Sequence, residues 1–164
     1  MRRSGILLGL VIAGLASVAS ANGQTSLKTK FTGTWELALD KSDVKVTKLA
    51  GLQLKIDHPD KNEIHVVEMA KTDNGQEKRR EYTCSTMGRE CDVSDGSQAD
   101  KLSMYYDGPK LIVIERIGKD SDTVVKRIYE LSEDGSTLTI QGTQMVPPRA
   151  DVEKLVFGKA AGTP

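Results

Sequence analysis

The chain has 164 residues, 23 Lys plus Arg against 23 Asp plus Glu, 38% hydrophobic and only 4% aromatic residues, and a pI near 6.7. That length and hydrophobic share fit one folded domain, and they exclude a disordered, collagen-like or polytopic membrane chain. Zero formal charge also lacks the basic footprint of a phosphate-backbone binder, which argues against nucleic acid as a partner.

Residues 1–21 read as an export signal. Arg2 and Arg3 precede an apolar run from Ile6 to Leu15, and small residues lead to Ala19-Ser20-Ala21, the A-x-A pattern of a signal peptidase site. The run is interrupted by Gly9, Gly14 and Ser17 and falls short of the roughly 20 apolar residues a bilayer span needs. The expected destination is periplasmic or extracellular, with no stable membrane insertion after cleavage. Removing residues 1–21, which carry two arginines and no acidic residue, leaves 143 residues with a net charge of −2. A domain of that size buries a substantial core. Residues 22–30 read as a flexible lead-in, 31–158 as the folded domain and 159–164 as a frayed tail.

From Thr32 onward apolar residues recur with period 2, in short runs separated by turn dipeptides. The pattern predicts strands over Thr34–Leu39, Leu52–Asp57, Glu63–Ala70, Lys78–Cys84, Cys91–Ser94, Lys101–Tyr106, Leu111–Ile117, Thr123–Leu131, Thr137–Gly142 and Val152–Phe157. Asn74-Gly75, Met87-Gly88, Asp107-Gly108-Pro109 and Asp134-Gly135 supply the chemistry that tight turns require. Asp40 to Ala50 has room for a turn of helix or an Ω-type loop. In an oxidising compartment Cys84 and Cys91, flanking Met87-Gly88 as a hairpin tip, pair as a structural disulfide. Their C-x6-C spacing lacks the C-x-x-C geometry that tunes a redox thiolate.

Sequential short hairpins hide their edges by closing on themselves, so the fold class is all-β, an antiparallel up-and-down β-barrel of about 8 to 10 strands. A two-sheet β-sandwich is the alternative. Alternation puts Trp35, Leu37 and Leu39 on one face, likewise Leu52, Leu54 and Ile56, and likewise Leu102, Met104 and Tyr106, all expected inward. Leu111–Ile117 and Thr123–Leu131 are apolar on both faces, which leaves their orientation open.

Phe31-Thr32-Gly33-Thr34-Trp35-Glu36-Leu37, followed by Asp40-Lys41-Ser42, resembles the opening of bacterial secreted lipocalin-like (calycin-type) proteins, in which F-x-G-x-W begins the first barrel strand. Leu131-Ser132-Glu133-Asp134-Gly135-Ser136-Thr137-Leu138-Thr139-Ile140 is similar to their S-x-D-G-x-T-L-T-I hairpin. The resemblance implies a lumen that carries a small apolar ligand. It also implies that Trp35 sits near the closed end with a basic residue of the last strand packed across it, for which Lys154 is the nearest candidate.

Trp35 reads as a structural plug of the barrel floor, its indole N–H satisfied by a carbonyl. His58 and His65 have no matching Cys or carboxylate spacing, so no metal is expected, and no cofactor motif is present. The chain has no G-x-S-x-G, H-E-x-x-H or P-loop, and no catalytic residue is assigned. Lys78-Arg79-Arg80, bordered by Glu77 and Glu81, reads as a solvated strand surface. Were Arg80 or Arg127 inside the barrel, it would be paired or would await an anionic head group, which favours a fatty acid or similar amphiphile. Arg80, Tyr82, Met104, Tyr106 and Tyr129 are the candidate ligand-binding residues, Met being adaptable and Tyr joining an apolar body to a polar tip.

The reading is an exported, non-catalytic lipocalin-like barrel that binds a small hydrophobic or amphiphilic molecule. The alternative is a packed envelope or secreted protein-interaction module, an inhibitor or assembly partner, with no ligand. An active site at the barrel mouth for a cofactor-free isomerase or hydrolase is a third reading. An open apolar lumen separates the first from the second.

Overall fold

The computed structural model describes residues 31–44, 49–94, 99–118 and 123–161. The expected export signal and the whole of the expected lead-in, residues 1–30, lie outside the described residues.

Ten strands follow one another: β1 (Gly33–Leu37), β2 (Leu49–Asp57), β3 (Glu63–Thr72), β4 (Glu77–Ser85), β5 (Met87–Ser94), β6 (Ala99–Asp107), β7 (Lys110–Ile117), β8 (Thr123–Leu131), β9 (Thr137–Val146) and β10 (Val152–Lys159). Each expected strand is present within a few residues of its predicted bounds. They form one antiparallel sheet in the order β4-β3-β2-β1-β10-β9-β8-β7-β6-β5. The sheet curls into a nearly closed barrel, because its terminal strands β4 and β5 are consecutive in the chain and meet at the single residue Thr86. A single curled sheet replaces the sandwich alternative. A turn of 3-10 helix spans Leu39–Lys41.

The seam between β4 and β5 is bridged covalently: Cys84 and Cys91 form the expected disulfide, with their Cα atoms 5.6 Å apart. The hairpin tip differs from expectation. The turn falls on Thr86, while Met87 already belongs to β5 and Gly88 takes φ +77° where the β5–β6 register slips between Met87 and Glu90. A glycine free to adopt positive φ is what such a bulge requires.

Trp35, Phe31, Phe157, Leu138, Ile56 and Ile64 are fully buried and pack the lower lumen as a solid core. The Trp35 indole donates to the Phe31 carbonyl at 2.9 Å, so its one polar group is satisfied inside the apolar floor. Tyr106 closes this floor, its hydroxyl 2.8 Å from His58 Nε2, and the His58 Nδ1 lies 3.1 Å from Thr32 Oγ1. Two expectations are corrected here. Leu39 is 42% exposed, because β1 ends at Leu37 and the chain turns away before the next inward position. Lys154 is exposed on the outer face, since Leu155 and Phe157 are the inward members of β10. The basic residue opposite Trp35 is Lys159, its register partner. The Lys159 stem crosses Gly33, where an added Cβ would come within 3.0 Å of Lys159 Cε, and Gly33 itself holds φ +145°.

Candidate functional site

Above the packed floor the lumen opens into a cavity of about 240 Å³. Its apolar walls come from inward positions of five strands, Leu52, Leu54, Leu102, Val113, Ile140 and Leu155. Its polar side is an ionic cluster made of Glu68 on β3, Arg80 on β4, Glu115 on β7, Arg127 on β8 and Glu153 on β10, with Tyr82 and Tyr129 beneath.

The register explains why these groups meet. Glu68 and Arg80 face each other across the β3–β4 ladder. Arg127, Gly142 and Glu153 lie in one row across β8, β9 and β10, and the missing side chain at Gly142 leaves the space between the two charges open. A second, more polar recess of about 150 Å³, lined by Gly142, shares Arg127 and Glu153 with the cavity and continues to the rim past Arg149 and Asp151. Arg127 and Glu153 therefore flank the passage from the rim to the lumen.

Glu115 is the hub. Its side chain is 3% exposed; one carboxylate oxygen accepts from Arg80 at 2.7 Å and the other is ion-paired with Arg127. Arg80 reaches across the seam to Asp100 on β6 at 3.1 Å, lies 3.8 Å from Glu68, and stacks its guanidinium over the Tyr82 ring at 5.6 Å. Asp100 in turn accepts from the Gly118 backbone N–H at 2.8 Å. Tyr82 donates to Glu68 at 2.8 Å. Burial, reinforced by the Glu68 carboxylate, pushes the Tyr82 phenol well above its ordinary range and raises Tyr129 in the same way. Both phenols stay protonated donors at neutral pH.

Of the sequence-predicted residues, Arg80, Tyr82 and Tyr129 line this cavity together. Met104 and Tyr106 do not: Met104 is buried in the solid core and Tyr106 belongs to the floor with Phe31, their rings 6.1 Å apart. They sit lower on β6 than the level at which the lumen opens. The expectation of a solvated basic surface holds for Lys78 and Arg79, which are exposed, and fails for Arg80, which alternation turns inward. Glu68 and Glu153 carried no local signal of a site, and Glu115 stands in a strand that is apolar on both faces, so alternation did not mark it as inward. His65 faces outward against Glu81 at 2.9 Å, apart from His58, and among the described residues no group of three or more His, Cys, Asp or Glu is placed to hold a metal ion.

A shallower outer groove of about 300 Å³ lies over β1, β2 and β3, beside the register slip at Gly51, and is bordered by Glu36, Gln53, Met69, Lys71 and Glu77. The lumen is the better candidate, because its walls are buried apolar residues meeting a few convergent polar groups, the composition of ligand sites.

The fold is a calycin-type barrel. The fatty-acid-binding protein 1 of Echinococcus granulosus superposes with a TM-score of 0.60 at 13% identity, covering 80% of this chain and 98% of that one. The wild-type fluorescent protein UnaG gives 0.56 at 16% identity over 80% and 98% of the two chains. Secretory abundant heat soluble protein 4 from Ramazzottius varieornatus gives 0.58 at 17% identity over 80% and 96%. No protein-family model matches the chain, and no curated protein sequence is similar to it.

Proposed function

We propose that this chain is an exported, non-catalytic barrel that holds a small hydrophobic or amphiphilic molecule in its upper lumen. The observation that carries the reading is the apolar-walled cavity of about 240 Å³ bordered on one side by the Arg80–Glu115–Arg127 cluster. An apolar body buries against leucine, valine and isoleucine side chains while a polar end meets fixed charges and phenols. One similarly folded protein is named a fatty-acid-binding protein, which is in keeping with a ligand-carrying lumen. Export is supported by the leader pattern of residues 1–21 and by a disulfide that suits an oxidising compartment. A packed interaction module would need a filled lumen, whereas open volume remains above the floor.

The test is native mass spectrometry of the mature protein from its own compartment, with extraction of any small molecule it carries, repeated on Ala70→Trp. Ala70 lines the cavity above the solid core, so the indole fills the ligand volume without displacing the floor. A stoichiometric ligand present in the wild type and lost in the folded variant is the expected result. A ligand-free wild type that also takes up no apolar fluorescent probe overturns the proposal.

A further inference from the structure

Gly142 stands in the interior of β9, paired on one side with Arg127 of β8 and on the other with Glu153 of β10. A strand interior disfavours glycine, which loses the most backbone freedom on folding and packs no side chain. The usual structural reasons for one do not apply at this position. Its φ lies outside the left-handed region, unlike that of Gly75, Gly88 or Gly135. Both ladders run through it in register, with no bulge at this level. An added Cβ would meet no atom closer than 3.6 Å, so the neighbours leave room for alanine. A strand glycine that neither conformation nor packing requires points to something that passes close over the backbone.

The position faces inward. Leu138 and Ile140 are the buried members of β9, and alternation gives Gly142 the same face. At its level the cavity of about 240 Å³ and the rim recess of about 150 Å³ share Arg127 and Glu153 as walls, and Gly142 lines the recess. The Arg127 guanidinium is tied to Glu115, and its methylene stem borders the gap, with Cγ 3.9 Å from where a Cβ would stand. Glu153 borders the other side, with Oε2 at 3.6 Å. An apolar body crossing here runs along the hydrocarbon stem. The outer groove over β1 to β3 also adjoins the lumen, through Leu52 and Ala70, but there the side chains of these two register partners stand between groove and cavity. Resting on the reading of the lumen as a ligand site, we propose that Gly142 is its doorway: the ligand enters and leaves across the bare position between Arg127 and Glu153, and the size of the side chain at 142 sets the rate of exchange. Affinity is set below, where the apolar body buries against Leu54, Leu102 and Val113. The strand gives up stability at Gly142 for an open path, a trade that functional positions commonly make.

The test is stopped-flow fluorescence with N-phenyl-1-naphthylamine, an uncharged apolar probe, following uptake and dilution release in the mature protein and in Gly142→Ala, Gly142→Val and Gly142→Leu. Both rates are expected to fall as the side chain grows, by about tenfold or more in Gly142→Leu, while the equilibrium Kd stays within about twofold. Gly142→Ala is expected to melt above the wild type, because φ and spacing both accept a Cβ. Gly51→Leu fills the outer groove from a position with nothing within 4 Å of its Cβ, and it is expected to leave both rates unchanged. Unaltered rates in the largest Gly142 variant that folds, or a slowing in Gly51→Leu instead, overturn the doorway and leave a ligand-binding barrel. A lower melting temperature in Gly142→Ala also overturns it, since the glycine would then be structural. Failure of the wild type to take up the probe overturns the lumen reading and the doorway together.

Discussion

Replacing Glu115 by Leu probes the network that organises the candidate site. Glu115 is the least exposed member of the cluster, and it gives one oxygen to each of two arginines whose side chains are 19% and 27% exposed. Deleting one partner of a buried ion pair costs about 3 to 5 kcal/mol, because the remaining charge has lost its compensation without regaining water. Arg80 keeps Asp100 at 3.1 Å, which places the expected loss near the lower end, ~3 kcal/mol. For a domain of this size each kcal/mol moves the melting temperature by about 3 to 5 °C, so a fall of about 10 to 15 °C is expected in a calorimetric or circular-dichroism melt. The double variant Glu115→Leu with Arg127→Leu is expected to lose less than the sum of the single variants, since removing both charges removes the uncompensated one. A Glu115→Leu loss below about 1 kcal/mol would refute the reasoning, for that is the value of a solvated surface pair.

Other outcomes follow from the core, the seam and one loop. Trp35→Ala is expected to cost roughly 3 to 5 kcal/mol by opening a cavity in the solid floor, and an unchanged melting temperature would contradict that placement. Reducing or removing the Cys84–Cys91 bond is expected to cost about 2 kcal/mol, the value for a short closed loop, and mass spectrometry without reductant should show the bond within one chain. Thr86 is buried with no hydrogen-bond partner for its hydroxyl among the described residues, so Thr86→Val is expected to be neutral or stabilising in urea unfolding; a loss above about 1 kcal/mol would expose a missed partner. Asp134 accepts from the Ser132 hydroxyl and from the Ser136 backbone N–H and hydroxyl, which lower its pKa to about 2. Because that value lies below the unfolded one near 3.8, its contribution is complete above pH about 4 and is lost as pH falls towards 2; an NMR titration of Ser132→Ala should show the carboxyl returning towards its ordinary range.

Much of the barrel was legible locally. Period-2 runs and turn dipeptides located all ten strands, since strand alternation and hairpin chemistry are properties of near neighbours. Trp35, Leu54, Ile56, Leu102 and Met104 lie buried on the faces that alternation assigned. The site was less legible. In β7 the two faces read Leu111, Val113, Glu115 and Ile112, Ile114, Arg116, each with apolar residues and one charge, so alternation had no sign to choose by. Closure chose: Glu115 is inward, and Ile112 is buried although it faces outward, flanked by Tyr105 and Ile128 in the adjoining strands.

The amino-acid sequence by itself determined the strands, their turns, the Cys84–Cys91 pairing and the apolar floor around Trp35, because each depends on contacts between neighbouring positions or neighbouring strands. Only the tertiary structure decided that Lys159 and not Lys154 lies opposite Trp35, and that Glu115 joins two arginines from different strands. Those outcomes depend on how far the sheet curls and which residues its closure brings to one level. A buried charge is tolerated only where closure supplies its partner, and here the partners of Glu115 come from β4 and β8, far apart in the chain and on opposite sides of the seam.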